Sequence, residues 1–278
     1  SETIREIANK NISPIELVET LLNRIDELDP DLKAWVTVDR EDVIGQAKQT
    51  EIDQERGIIK PLQGVSVGLK DIFYTAGMRT SACSKIFSEF VPTYDATSVA
   101  KLKEAGAIII GKAVTTEFAS SDPSPSRNPW NLNHTPGGSS SGSSVAVATG
   151  MCAAALGSQT GGSTCRPAAY NGIVGLKPTY GRISRHGVVP LSWSLDTVGI
   201  LVKFVEDAAL MLQVMSGYDP LDPRSADESV PNFIEQMKHH EQKPVIGLIK
   251  DFFFDHSTPE VVTHTEQVVQ KLASSGAE

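Results

Sequence analysis

In the stretch NISPIELVETLLNRIDELDP the apolar residues Leu17, Leu21, Ile25 and Leu28 recur three or four positions apart, the spacing of one helix face. Ser13 ahead of Pro14, with Glu16 three positions on, predicts a capped helix start, and Pro30 is expected to end the helix. Further along, LQGVSVGLKDIF alternates Val65, Val67 and Leu69 with small residues, which predicts a buried strand delivering Lys70 at its carboxyl end. ATSVAKLKEAGAIIIGKAV then predicts a helix, a tight Ala-Gly turn and a strand from Ala107 to Ile110, the helix-to-strand half of a βαβ unit. The same order returns as a strand over 244–249 (PVIGLI) and a helix within PEVVTHTEQVVQKLASSGAE. That helix runs into Ser-Gly-Ala turn chemistry where another strand should follow, so the expectation is a chain whose C-terminal part is missing.

Between 219 and 243 the sequence turns to Asp, Pro, Glu, Lys and His, which predicts an exposed connection with one short helix. The expected organisation is a single domain, 1–278. It comprises an N-terminal helical segment (1–60), a core (61–218), the exposed connection (219–243) and the start of a further α/β portion (244–278).

Composition narrows the function. With 278 residues, 40% of them hydrophobic, the chain can bury a sizeable core. A net charge of −9 without any Lys/Arg-dense run argues against nucleic acid or an anionic membrane as partner. Cys83, Cys152 and Cys165 form neither a disulfide framework nor a zinc pattern, and the six histidines show no ligand spacing, with His239 and His240 reading as a solvated helix end. A reducing cytoplasm fits best, and no apolar run reaches the roughly 18 residues of a membrane span.

The chemistry concentrates in PGGSSSGSSVAVATGMCAAALGSQTGGST, residues 136–164. A linker would be polar throughout, yet the middle is apolar and small, as in elements packed with close backbone approach. A P-loop needs a lysine to reach phosphate, and none lies between 113 and 176. Gly138, Ser140 and Gly142 fit the G-x-S-x-G nucleophile elbow, but RNPWNLNHTP makes a poor strand before it, and Asp196 and His256 would be unsupported partners. The remaining reading is a site built from both Ser-rich ends. In SQTGGS, the main-chain N–H groups of Thr160, Gly161, Gly162 and Ser163 would form an oxyanion hole, with the Ser163 hydroxyl as nucleophile and a base still required.

GGSSSGSS followed by LGSQTGGSTCRPAAYNGIVGLKPTYGRIS closely resembles the amidase signature, and GVSVGLKDIF and GVVPLSWSLDTVGILVKFVEDAALML resemble the segments before and after it. The resemblance covers roughly residues 1–220 and is most specific over 137–185. It implies an α/β amidase signature fold, a central mixed β-sheet with helices on both faces. It also implies a Ser-Ser-Lys triad with Ser163 as nucleophile, Ser139 as a bridging serine after a cis peptide, and Lys70 as base. A lysine of ordinary pKa near 10.4 is neutral in only about one molecule in a few thousand at pH 7, so burial must lower it.

The departures matter. Ser141, Gln159 and Asn171 stand where many members have Gly, Asp and Cys, and Arg166 lies three residues beyond Ser163 rather than two. Gln159 with Arg166 resembles the free-standing amidases, including malonamidase-like enzymes, more than the A subunits of glutamine-dependent tRNA amidotransferases, and implies Arg166 as an anchor for a substrate carboxylate or, equally, as a loop brace. Hydrolysis of a small, carboxylate-tolerant linear amide without metal or organic cofactor is expected. The alternatives are an amidotransferase A subunit working with a tight partner, and a catalytically inactive amidase-like binding protein. The expected partner is a small-molecule amide, a homodimer being allowed.

Overall fold

The computed structural model describes residues 2–121, 123–238 and 243–278, so His239 and His240 lie outside the described residues. The chain divides into two compact units, Ser1–Phe233 and Ile234–Glu278.

The first unit is a six-stranded mixed sheet in the order β1-β3-β2-β4-β6-β5, formed by β1 (Trp35–Val38), β2 (Ser66–Lys70), β3 (Ile108–Ala113), β4 (Ala154–Gln159), β5 (Val174–Leu176) and β6 (Thr197–Val202). β3, β2 and β4 run parallel, and β1, β6 and β5 are added antiparallel. Strand alternation divides the core between two faces. Val67, Leu69, Ile109, Leu156, Val198 and Ile200 join one apolar cluster, while Ile108, Ile110, Ala155 and Leu201 join the other. Helices α4 (Thr97–Glu104) and α7 (Val205–Met215) cover the first face, and α2 (Pro14–Leu32), α3 (Arg40–Glu55) and α5 (Ser141–Ala148) the second. The short helices α1 (Glu2–Ala8) and α6 (Cys165–Asn171) complete this unit. This is the expected architecture of a mixed sheet covered on both faces.

The capping box forms as the spacing requires: Ser13 Oγ accepts from the N–H groups of Ile15 and Glu16, and Glu16 Oε2 accepts from Ser13 N–H at 3.4 Å. One expectation fails and one shifts. Pro30 lies inside α2, which continues to Leu32 and ends where Lys33 takes a left-handed conformation (φ 52°). A proline this close to the end removes only one of the last turn's hydrogen bonds. The most deeply buried residues are Val18, Leu22, Ile25 and Leu32, and the half-buried Leu21 and Leu28 pack against the same cluster, so the expected face makes the contact with its centre shifted toward Val18 and Leu22. Truncating one of these buried leucines would cost about 2–5 kcal/mol.

The expected exposed connection is not exposed at its start. Asp219 accepts hydroxyl hydrogen bonds from Thr97 (2.6 Å) and Ser184 (2.5 Å), and Asp222 is ion-paired with Arg185. The turn residues here are folded against the sheet unit because their carboxylates find buried donors.

The second unit holds α9 (Pro259–Ser274), as expected, and α8 (Phe233–Gln236) lies across the division. No strand forms over 244–249. Two main-chain hydrogen bonds, Ile246 N–H to Glu278 O and Glu278 N–H to Pro244 O, tie its first residues, and a ladder needs a neighbour along its full length. Among the described residues no helix is long and apolar enough to cross a membrane.

Candidate active site

Lys70 terminates β2, the middle of the three parallel strands. The chain crosses from β2 to β3 on one side and later returns to β4 on the other, so the strand order reverses around β2. In an open α/β sheet the crevice outside the carboxyl ends of such strands is where ligands are bound. Because Val67 and Leu69 face the α4 side, Lys70 faces the α5 side, with Gly68 directly under the Trp35 ring.

Lys70 is fully buried, and its Nζ donates to Ser139 Oγ at 2.7 Å and to Ser158 Oγ at 2.8 Å. Burial lowers its pKa from the ordinary 10.5 to about 7, against smaller opposing pulls from Asp196 and Cys83. An amine divided between its two protonation states at neutral pH and in contact with a hydroxyl can take up and return a proton.

Ser139 is held from both sides. The Gly138–Ser139 peptide is cis, and Ser139 O accepts from Thr116 N–H at 3.2 Å. Behind it α5 begins, docked so closely on the neighbouring backbone that Gly142 N–H donates to Val114 O at 2.9 Å. A Cβ at Gly142 would lie 2.5 Å from Val114 N and closer still to Ala34 O, which is why glycine stands at this position.

The other Ser-rich end leaves β4. Gln159 Oε1 accepts from the N–H groups of Thr164 and Cys165, both at 2.9 Å, capping α6. Thr160 Oγ1 donates to Asp196 Oδ1 at 2.5 Å, and Asp196 Oδ2 accepts from Leu191 and Ser192 N–H. Asp196 is thus a brace for the loop, which settles its place in the elbow alternative. Between these supports, the main-chain N–H groups of Thr160, Gly161, Gly162 and Ser163 have no acceptor among the described residues. Four consecutive free amides can receive an oxyanion.

Ser163 is half-buried, and its carbonyl accepts from Ser140 N–H at 3.2 Å, which ties the two Ser-rich ends together. Ser140 reinforces the join: its Oγ donates to Ser158 O at 3.3 Å and accepts from Ser158 N–H at 3.2 Å. Among the described residues the Ser163 hydroxyl has no hydrogen bond, and it is not bonded to the Ser139 hydroxyl. Arg166 is exposed, and its Nε and Nη2 both donate to Gly138 O, at 3.0 and 2.6 Å. Asn171 links the same region, its Nδ2 donating to Pro136 O, Ser144 Oγ and Pro167 O. Cys165 is exposed, with its Sγ 3.8 Å from Gly175 O.

Two residues near the site escaped the sequence reading. Ser158 is read as one more small strand residue, and no local signal points it toward Lys70. Lys112 on β3 is the second fully buried lysine; its Nζ donates to Phe73 O, and burial pushes its pKa down to about 7. Asp71, whose carboxyl is raised by burial, receives Ser81 N–H, Ser81 Oγ and Cys83 N–H and closes the loop that follows Lys70. Among the described residues no group of three or more His, Cys, Asp or Glu side chains is gathered to hold a metal ion.

Known proteins resemble this chain over nearly its whole length. The glutamyl-tRNA(Gln) amidotransferase A subunit of Geobacter metallireducens is 43% identical over 98% of this chain and 57% of its own length. The native peptide amidase of Stenotrophomonas maltophilia superposes with a TM-score of 0.89 at 33% identity, covering 98% of this chain and 59% of the other. The Thermotoga maritima glutamyl-tRNA(Gln) amidotransferase A subunit superposes with a TM-score of 0.80 at 34% identity, covering 95% and 57%. The chain therefore spans a little over half the length of the relatives it matches. The family model described as Amidase matches residues 16–278, and the chain belongs to that family.

Proposed function

We propose that this chain carries serine-dependent machinery for cleaving the C–N bond of a linear amide. In this reading Ser163 is the nucleophile, Ser139 the relay and Lys70 the base. The Ser163 proton moves to Ser139 as the Ser139 proton moves to the neutral Lys70 amine, and Ser163 Oγ bonds to the carbonyl carbon. The amides of Thr160, Gly161, Gly162 and Ser163 receive the oxygen that becomes negative. Lys70 returns its proton through Ser139 to the leaving nitrogen, the C–N bond breaks, and an acyl-serine remains for water to hydrolyse by the same relay. The two serine hydroxyls come into contact as substrate binds, since catalytic hydrogen bonds commonly tighten in the Michaelis complex.

The observation that carries this reading is the contact of Lys70 Nζ with Ser139 Oγ at 2.7 Å by an amine whose pKa is about 7. The test is labelling by a fluorophosphonate. Wild-type protein should be modified at Ser163 and Ser163→Ala should not; equal labelling of both would refute the assignment.

The relatives favour a second reading of the same chemistry. Those named as amidotransferase A subunits reach 43 and 44% identity, which supports a chain that releases ammonia from glutamine for a partner protein. The expectation of a free-standing amidase rests on Gln159 and Arg166, with the peptide amidase of Stenotrophomonas maltophilia as a structural neighbour at 33% identity. Co-elution with candidate partners in gel filtration, and glutamine hydrolysis that depends on them, would decide for the amidotransferase reading. Arg166 as a carboxylate anchor would have to use its Nη1/Nη2 edge, because Nε–H and one Nη2–H are committed to Gly138 O.

A further inference from the structure

Asn171 closes α6 and is fully buried. Its Nδ2 donates to Pro136 O at 2.8 Å, to Ser144 Oγ at 2.9 Å and to Pro167 O at 2.8 Å. Two of these partners are carbonyls and can only accept. The third has spent its one proton, since Ser144 Oγ donates to Ser141 O at 2.9 Å. The end of α6 therefore calls for a group with two protons to give, and a side-chain amide nitrogen supplies them where a carboxylate, a thiol or a single hydroxyl does not. The arrangement costs stability, because Asn171 Oδ1 is buried with no donor among the described residues.

The three acceptors belong to the parts that carry the two serines. Pro136 begins the segment that reaches Ser139, Ser144 lies on α5 just after it, and Pro167 lies on α6, which starts two residues beyond Ser163. The segment rests directly on α6: a Cβ at Gly137 would come within 3.0 Å of Pro167 Cα and 3.1 Å of Tyr170 Cδ2. Three of its carbonyls are held, Pro136 O by Asn171, Gly138 O by Arg166 and Ser139 O by Thr116 N–H. Arg166 is exposed, so its bonds compete with water, whereas those of Asn171 lie in the interior, where a hydrogen bond is stronger.

Resting on the reading of Ser163 as nucleophile and Ser139 as relay, we propose that Asn171 is a positioning residue for the reaction, which fixes Pro136 to α6 and so sets where Ser139 stands between Lys70 and Ser163. Among the described residues its side chain has no hydrogen bond to any of the three and acts through the backbone. Without it Ser139 drifts from the path along which protons pass, and a displacement of about 1 Å is enough to cost about a hundredfold in rate.

The experiment compares acetamide with p-nitrophenyl acetate, which give the same acetyl-serine. The amide nitrogen must be protonated to leave, whereas p-nitrophenolate departs without a proton, so a misplaced relay penalises the amide more. In Asn171→Ala and Asn171→Cys, kcat/KM for acetamide should fall about a hundredfold and that for the ester by less than about tenfold, the Ser163→Ala rate being subtracted throughout. The ratio of the two rates can be read from whatever fraction of a variant folds, and a loss of folded protein alone leaves it unchanged. A ratio equal to that of the wild type would overturn the positioning role and leave amide cleavage standing. Wild-type protein that shows neither labelling at Ser163 nor turnover of either compound would remove the underlying reading, and the role of Asn171 with it.

Discussion

Activity should be switched on by loss of a proton from Lys70. Burial sets the pKa of this amine at about 7 in place of 10.5. At pH 7 about half the molecules then hold a free amine, against roughly one in 3,000 for an ordinary lysine, a difference of about 5 kcal/mol in the cost of reaching the basic form. Only the neutral form can accept a proton, so kcat/KM should climb tenfold per pH unit below about 7 and level off above it. The assay measures acetamide hydrolysis and the rate of fluorophosphonate inactivation from about pH 5 to about pH 10, both of which report on the free enzyme. Lys70→Ala should lower the plateau by several orders of magnitude, and Lys70→Arg should do the same, because a guanidinium stays charged. A Ser163-dependent rate that is flat across this range, or that rises only near 10.5, would refute the reasoning.

Ser158→Ala removes an acceptor that favours the charged amine, so the apparent pKa should fall by about one unit or more, a hydrogen bond to a charged group being worth about 1.5–3 kcal/mol. An unchanged pH profile would show that Ser158 does not position Lys70. Arg166→Ala should slow carboxylated and neutral amides by the same factor if it only braces Gly138 O, and a loss confined to carboxylated amides would restore its role as an anchor. Lys112 also titrates at about 7 when folded, so between about pH 7 and 10.5 the unfolded state binds more protons and stability rises with pH. Lys112→Met should therefore reduce the slope of unfolding free energy against pH in that window by ~1.36 kcal/mol per unit, read from urea midpoints, and an unchanged slope would contradict the burial argument.

Much of this was legible where one residue type has one physical use. Val65, Val67 and Leu69 mark a strand because their alternation has no other outlet, and that strand fixes Lys70. Ser13, Pro14 and Glu16 likewise specify a helix start on their own. What escaped depends on neighbours. The stripe of α2 centres on Val18 and Leu22, with Leu21 and Leu28 packed beside them, because the neighbouring elements decide which apolar row is covered most fully. Asp219 and Asp222 read as solvent-facing turn residues until Thr97, Ser184 and Arg185 are brought to them from distant segments. Ser158 and Lys112 carry no local signal, since a serine in AALGSQ and a lysine in IIIGKA acquire their partners only when β4 and β3 are laid beside β2. Ser139 and Lys70 were paired on family resemblance alone, and no spacing in the chain announces a contact across 69 positions.

The cross-bonding of Ser140 to both Ser158 and Ser163 makes the two serine-bearing segments one rigid piece. A substitution that displaced either would drag the other with it, so adaptation to new compounds has little freedom at the reacting centre.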